Sequence, residues 1–254
     1  YRQLSAPLCE VGALLDAKGL HGSRCARSHL RQLAASNGIP AKRVDEVLDI
    51  TGLTSVAKKR VKGFSLGMGQ RLGIAAALLG DPGVLLFDEP VNGLDPEGVK
   101  WVRETCRRLA GEGRTVFISS HLMSEMAQTA DHLLVIGRGR ILTAGPVNDV
   151  IASATTDRVR VAPPQATQLA ELMASRNLAA QPVAPNVLET TATTAATIGE
   201  LAAQGGIVLH ELTTIRASLE EAYMTLTSDS VEYRTDPASQ AQVRQAVPQG
   251  SARG

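Results

Sequence analysis

Several features that often reveal the class of a protein are absent from this 254-residue chain. No apolar run approaches the roughly 20 residues that a membrane-spanning helix needs, and the best candidate, at 74–87, is interrupted by Asp81 and Pro82. No signal-peptide pattern stands at the start. The sequence therefore predicts a soluble chain that reaches any membrane through a partner. Because it begins with Tyr1 rather than Met, we expect a fragment or a processed product.

Cysteines and aromatic residues are scarce as well. The three cysteines, Cys9, Cys25 and Cys106, lie far apart and form no CxxC pair. Reduced structural thiols are therefore favoured over a disulfide framework or a zinc site. Aromatic residues make up 3% of the chain, which leaves few side chains on which bases can stack. Single-stranded nucleic acid has weak support as a partner, and the net charge of +1 argues neither way.

A phosphate-binding motif is also missing. The sequence contains no GxxxxGK[ST] and no Gly-Lys dipeptide. The backbone N–H groups and the lysine of that motif hold the β and γ phosphates of a nucleotide. A chain without it lacks the main protein ligands for those phosphates.

The patterns that are present predict an α/β fold. Strands are predicted by apolar runs at 10–16, 84–87, 115–119 and 132–136. Helices are predicted after Ser23, after Pro40, after the loop at 65–68, and at 97–110 and 123–129. Residues 141–143 should pair with the preceding strand as a hairpin. Strands that alternate with helices of this length indicate βαβ units and a mostly parallel sheet.

A change of composition near 152–156 predicts a domain boundary, with a first domain at 1–152 and a second at 157–227. The second domain is predicted to be a small α+β unit of βαββαβ type. Its elements are an edge strand at 158–162, a helix at 165–176, weak strands at 181–190, a helix at 194–204, a strand at 206–211 and a helix at 216–226. The tail at 228–254 is rich in Gln, Ser, Ala and Pro and is predicted to be disordered.

Two adjacent acids, Asp88 and Glu89, end the apolar strand at 84–87. Strands of open α/β sheets end at the edge where ligands bind. Hydrolysis of a nucleoside triphosphate needs a cation at the phosphates and a group that polarises the attacking water. Asp88 suits Mg²⁺, and Glu89 suits the role of general base. The alternative is an ordinary pair of exposed loop acids.

Two further sites carry candidate residues. Ser65 precedes a helix whose first N–H groups favour an anion, so Ser65 either caps the helix alone or also donates its hydroxyl to a phosphate. His121 follows the strand that ends at Ser119. We expect it in the same layer as Asp88 and Glu89, where it contacts a terminal phosphate; a structural role is the alternative.

In combination, FSLGMGQRLGIAAALL, VLLFDEP, NGLDP and SSHL resemble the ATP-binding-cassette (ABC) family over residues 10–150. The resemblance implies an ABC-type P-loop NTPase core with a helical subdomain at 17–63, and ATP with Mg²⁺ as ligands. It also implies a role for each matching residue: Asp88 as the Walker B acid, Glu89 as the catalytic glutamate, Asp95 as the D-loop acid, His121 as the switch histidine, and Ser65, Leu66, Gly67 and Met68 as the signature loop that contacts a partner's nucleotide.

The resemblance further implies a homodimer of ATP-binding subunits that drives a transmembrane permease subunit from the cytoplasmic face of the membrane, without nucleic acid. Together with the C-terminal SLEEAYMTLT, the sequence is most similar to ATP-binding subunits of the daunorubicin-resistance type of drug exporter. The basic residues of 17–63 are then either a solvated face or a docking surface for the permease.

Three departures from the family pattern affect these expectations. Leu66 and Met68 stand where the usual LSGGQ signature has Gly and Gln, so the contacts of that Gln side chain are lost. Asp16 stands at the Q-loop glutamine, although a carboxylate there can still face Mg²⁺. The phosphate-binding loop would precede the strand at 10–16.

As given, the chain is therefore expected to bind ATP poorly and to be inactive alone. One interpretation is an incompletely represented ATPase subunit of an exporter. Another is a non-catalytic half that lends its signature loop to a partner's ATP site. An ABC protein that acts on DNA or ribosomes is disfavoured, since no long heptad insertion and no strongly basic face is present.

Overall fold

The computed structural model describes residues 4–16, 19 and 21–228. The chain divides into two compact units, with the division between Thr129 and Ala130. The predicted hairpin therefore belongs to the second unit, and the domains predicted at 1–152 and 157–227 stay predictions. All but the first residue of the tail predicted at 228–254 lies outside the described residues.

The first unit is built on a three-stranded parallel sheet. Its strands stand in the order β1-β2-β3, which confirms the predicted parallel arrangement. Its elements are α1 (Pro7–Glu10), β1 (Val11–Leu14), α2 (Ala26–Ser36), α3 (Lys42–Ile50), two short 3₁₀ turns (Thr54–Val56 and Val61–Gly63), α4 (Leu66–Ala77), β2 (Val84–Asp88), α5 (Pro96–Gly111), β3 (Thr115–Ser119) and α6 (Met123–Thr129).

The helix α4 forms the centre of this unit. Ser65 caps its N-terminus, because the Ser65 hydroxyl oxygen accepts a hydrogen bond from the Met68 N–H at 3.2 Å. The helix crosses β1 at Gly12, where a Cβ atom would lie 2.0 Å from the carbonyl oxygen of Ala77. Only glycine permits this approach, and it lets the apolar sides of α4 join the core.

Arg71 ties α4 to its neighbours on both sides. Its guanidinium lies 4.1 Å from the centre of the Trp101 ring on α5, within the range of a cation–π contact. The same group donates a hydrogen bond of 3.2 Å to the carbonyl of Thr51, which follows α3. One side chain thus joins three helices.

The turn between α4 and β2 is held by a charge cluster around Asp81. This carboxylate accepts hydrogen bonds of 2.9 Å from both Arg114 and Arg43. The hydrogen bond from Arg114, followed by the charges of Arg43 and Arg114, lowers the pKa of Asp81. Arg27 pairs with Asp45 in the same helical region. Arg27 and Arg43, two of the basic residues of 17–63, therefore make ion pairs within the unit.

The second unit begins with a hairpin and continues with a four-stranded sheet. Its elements are β4 (His132–Gly137), β5 (Arg140–Pro146), α7 (Val147–Ala154), β6 (Arg158–Ala162), α8 (Ala166–Ala174), β7 (Gln181–Ala184), β8 (Val187–Thr190), α9 (Ala195–Gln204), β9 (Glu211–Ile215) and α10 (Leu219–Thr227). The antiparallel pairing of β4 and β5 confirms the predicted hairpin. From β6 to β9 the order is βαββαβ as predicted, with all neighbours antiparallel.

Two predictions in this unit are wrong. Residues 158–162 are not an edge strand, because β6 lies between β8 and β9; its alternation reflects one buried face carrying Val159 and Val161. The strand predicted at 206–211 begins at Glu211 instead. Ile207 ends α9, since its N–H donates to the carbonyl of Ala202 at 2.8 Å after Gly206 at φ +65°. This is the Schellman arrangement, which places an apolar residue just beyond a helix.

Within the part of the chain that the structure describes, no helix combines the length and the apolar character needed to cross a bilayer. The cysteines Cys9, Cys25 and Cys106 are all free thiols. This agrees with the preference for structural thiols over a disulfide framework.

Candidate functional site

The candidate site lies where β2 and β3 end side by side. The strands pair in parallel so that Asp88 stands opposite Ser119. Glu89 and His121, which follow the two strands, therefore emerge at the same edge of the sheet. This is the edge at which open α/β sheets bind ligands.

Glu89 and His121 contact each other directly. The Nδ1 atom of His121 lies 3.0 Å from Oε1 and 2.9 Å from Oε2 of Glu89. Because an ionised carboxylate only accepts, Nδ1 carries the proton and donates it to Glu89. The His121 side chain is 63% exposed and the Glu89 side chain 33%, so the pair is open to a substrate from solvent. The structure thus brings together the two residues predicted to be catalytic.

Ser119 connects the two acids and was not singled out from the sequence. Its hydroxyl donates a hydrogen bond to Oδ1 of Asp88 and accepts one of 3.0 Å from the main-chain N–H of Glu89. That N–H also lies 3.2 Å from the carbonyl oxygen of Ser119. The available signal was positional: Ser119 is the last residue of the strand that precedes His121, next to the strand that ends in the acids.

Gln70 is a second residue that sequence reasoning missed. It lies on α4, and its Nε2 atom is 3.5 Å from the main-chain oxygen of Glu89. Its residue exposure is only 7%. A glutamine in the buried part of an apolar helix is the signal that would have identified it, since buried polar side chains normally have a partner.

The predicted signature loop packs against the loop at 91–95. Leu66 is 45% exposed, and a Cβ atom on Gly93 would lie 2.3 Å from its Cδ2 atom. A Cβ atom on Gly67 would lie 3.4 Å from Leu94. Asp95 caps α5, where Oδ1 accepts from the N–H of Gly98 at 2.8 Å. These contacts define the shape of both loops within one copy.

The remaining predicted residues have less defined surroundings. Met68 is half-buried and packs against the core of the first unit. Asp16 is exposed and follows the end of β1, and its carbonyl accepts from the N–H of Gly19 at 3.2 Å. Since β1 pairs in parallel with β2, Asp16 emerges at the same edge of the sheet as Asp88.

The acids fit a cation that arrives together with a nucleotide. Among the described residues no group of three or more His, Cys, Asp or Glu side chains is arranged to hold a metal ion. Mg²⁺ in nucleotide-hydrolysing enzymes is usually held by one or two carboxylates, substrate phosphates and water. Asp88 at the strand end supplies one such carboxylate, and Asp16 stands at the same edge. The donor set therefore suits Mg²⁺ with a nucleotide rather than a preformed metal centre.

An open parallel sheet with an acid pair and a histidine at its carboxyl edge is the arrangement expected of a nucleotide-hydrolysing domain. Residues 17–92 match the ABC transporter family, and this part of the chain is a piece of an ABC-type ATP-binding domain. The predicted family and fold class are thereby confirmed. Residues 157–220 match a family described only as a domain of unknown function, DUF8746.

Individual relatives agree with this assignment. The chain is 46% identical over 141 residues to the bacitracin transport ATP-binding protein BcrA of Bacillus licheniformis, covering 55% of this chain and 46% of that protein. It is 37% identical over 135 residues to the lantibiotic transport ATP-binding protein SrtF of Streptococcus pyogenes, covering 53% and 59%.

A solved structure is also similar. It is cbiO1 from Clostridium perfringens, part of the ABC transporter complex cbiONQ, with 28% identity and a TM-score of 0.51 over 57% of this chain and 60% of that one. The chain spans about half the length of the curated relatives it matches.

Proposed function

We propose that this chain is the signature-loop and Walker B part of an ATP-hydrolysing subunit that powers an exporter of drugs or antibiotics. The observation that carries the proposal is the contact between Glu89 and His121, 2.9–3.0 Å apart at the edge where Asp88 also lies. The three side chains are those that hydrolysis of a terminal phosphate requires: a base, a phosphate contact and a cation ligand.

Each residue has a specific task in this proposal. Glu89 orients and deprotonates the attacking water, and a carboxylate already within hydrogen-bond distance of an imidazole is suitably placed for that role. His121 contacts the terminal phosphate and keeps the carboxylate in place. Asp88 holds Mg²⁺, fixed by its hydrogen bond from Ser119. When bound, Mg²⁺ supplies positive charge to the phosphates.

The signature loop acts on a second copy. Ser65 and the first N–H groups of α4 face an anion at a helix N-terminus, and in the proposed dimer that anion is the terminal phosphate of the other subunit's ATP. Leu66, Gly67 and Met68 shape this surface, and Asp95 fixes the adjacent loop through its cap on α5. Asp16 contributes a carboxylate on the Mg²⁺ side.

The partners follow from the relatives. BcrA and SrtF are named as ATP-binding proteins of bacitracin and lantibiotic transport, and cbiO1 as part of an ABC transporter complex. By that likeness we assign this chain a transmembrane permease partner, a second ATP-binding subunit and a place at the cytoplasmic face of the membrane. The basic residues of 17–63 that make no ion pair within the unit are available to dock on the permease.

The test uses the chain joined to a phosphate-binding segment and its permease. Glu89→Gln should lower ATP turnover by about 10²–10⁴-fold, the usual contribution of a general base, and leave ATP binding largely intact. Glu104→Gln is the matched control, because it makes the same chemical change at an exposed position on α5. Unchanged turnover in Glu89→Gln would show that Glu89 is not the base.

A second candidate is a non-catalytic half that lends its signature loop to a partner with a complete phosphate-binding loop. The observation in its favour is the absence of GxxxxGK[ST] from the sequence. The intact mass and N-terminal sequence of the native protein distinguish the two. An upstream extension with a phosphate-binding loop supports the ATPase, whereas a native start at Tyr1 supports the non-catalytic half.

A further inference from the structure

The main chain at Glu89 has an uncommon conformation. Its φ is +47°, a left-handed value that residues other than glycine adopt only when their surroundings hold them there. On the amino side, the N–H of Glu89 donates to Ser119. On the carboxyl side, its carbonyl oxygen accepts from the N–H of Asn92 at 3.1 Å and from Gln70 at 3.5 Å. The direction of the Glu89 side chain depends on these contacts.

Gln70 makes the only one of these contacts that comes from a side chain on α4. Its Nε2 atom points to the Glu89 carbonyl, whereas its Oε1 atom is buried and has no hydrogen-bond partner among the described residues. Exchanging the two amide atoms would place an oxygen against the Glu89 oxygen, so the orientation follows from the contact. Burying an amide with one end unpaired is unfavourable. Leucine or methionine would fill the same space without that penalty, which indicates that Gln70 is there for its contact with Glu89.

The position of Gln70 links two parts of the candidate machinery. It lies five residues after Ser65, on the helix that Ser65 caps. The same helix therefore carries the signature loop at its start and the Glu89 contact one turn later. At 3.5 Å the hydrogen bond is at the long limit, so a small displacement of α4 strengthens or breaks it.

We propose that Gln70 is a positioning residue for Glu89: its amide holds the Glu89 main chain and transmits movement of the signature loop to the Glu89 carboxylate. The signature loop contacts one nucleotide and Glu89 acts on another in the proposed dimer, so Gln70 connects the two ATP sites through a single subunit. The positioning itself does not depend on catalysis. Its catalytic meaning rests on the function proposed above.

The test measures amide hydrogen exchange in the full chain without nucleotide. Gln70→Met keeps the volume and removes the donor, so exchange at the Glu89 and Asn92 amides should rise about 10-fold or more as the loop opens locally. Gln70→Leu serves if the methionine variant does not fold. Ile74→Val is the control, since it weakens the buried side of α4 without touching Glu89. Exchange that rises no more in the Gln70 variants than in Ile74→Val overturns the proposal.

Transmission from the signature loop is tested by a double variant. Ser65→Ala removes the cap of α4 and should speed exchange at Glu89 when Gln70 is present, with no further increase when Gln70 is methionine. Equal increases in both backgrounds would overturn the link. Turnover of Glu89→Gln, measured separately in the complete transporter, decides the proposed function, so each failure is recognised by its own experiment.

Discussion

Replacing Gly93 with alanine should disturb the signature loop through one identifiable contact. Gly93 has φ +70°, a left-handed conformation that costs an alanine about 1–2 kcal/mol. The added Cβ would also lie 2.3 Å from Cδ2 of Leu66, far inside van der Waals distance. Leu66 is 45% exposed and its end is flexible, so it can move at a cost of about 0.5–1.5 kcal/mol for a strained rotamer. We therefore expect Gly93→Ala to lower the free energy of unfolding of the first unit by about 2–3 kcal/mol in all.

The two parts of this cost can be separated with Leu66→Ala. In that background the collision is removed and only the backbone term remains, so Gly93→Ala should cost about 1–2 kcal/mol. The difference of about 1 kcal/mol is the coupling between the two loops, in the usual range for residues in contact. Urea denaturation followed by tryptophan fluorescence measures it, since Trp101 on α5 is the one tryptophan of the sequence. Costs that agree within about 0.3–0.5 kcal/mol in the two backgrounds would refute the contact.

The remaining predictions concern pH. The hydrogen bond from Arg114 and the charges of Arg43 and Arg114 lower the pKa of Asp81, so its stabilisation is present above the ordinary value of 3.8 and is lost as pH falls below it. Asp81→Asn, which tolerates the left-handed φ of +57°, should cost under about 1 kcal/mol at pH 7, because the carboxylate is largely exposed. In acid titrations of unfolding, variant and parent should converge; a constant gap would contradict the assignment. Burial raises the pKa of the Cys106 thiol to about 12, so stability present below pH 9 is lost as pH rises towards 12, by about 1.4 kcal/mol per unit. Cys106→Ala lacks this dependence, and parallel alkaline curves for the two proteins would contradict it.

Local patterns were sufficient for most of the first unit. Pro96 at the first position of α5, after the capping Asp95, marks the start of that helix to within one residue of the predicted 97. The strand Thr115–Ser119 was predicted with its observed bounds. Such elements are specified by turn chemistry and periodicity within a few residues, and the parallel sheet then follows from the alternation of strands and helices.

What the sequence did not reveal depends on contacts distant in the chain. The interior place of β6 follows from pairing with β8 and β9, up to 57 residues away, and an alternating strand is equally compatible with an edge or an interior position. Gln70 and Ser119 acquire their significance from Glu89, which lies 19 and 30 residues from them. Polar residues of this kind have no motif of their own, so they are recognised only once the fold has brought them to the acid pair.

The arginine that joins three helices has a practical consequence. Trp101, the one tryptophan in the sequence, lies under the guanidinium of Arg71 at 4.1 Å, one position along α4 from Gln70. A cation above an indole ring alters its emission, and any rotation or shift of α4 relative to α5 changes that distance. The chain therefore contains its own optical probe, with which a shift of α4 on nucleotide addition can be followed in real time without attaching a dye.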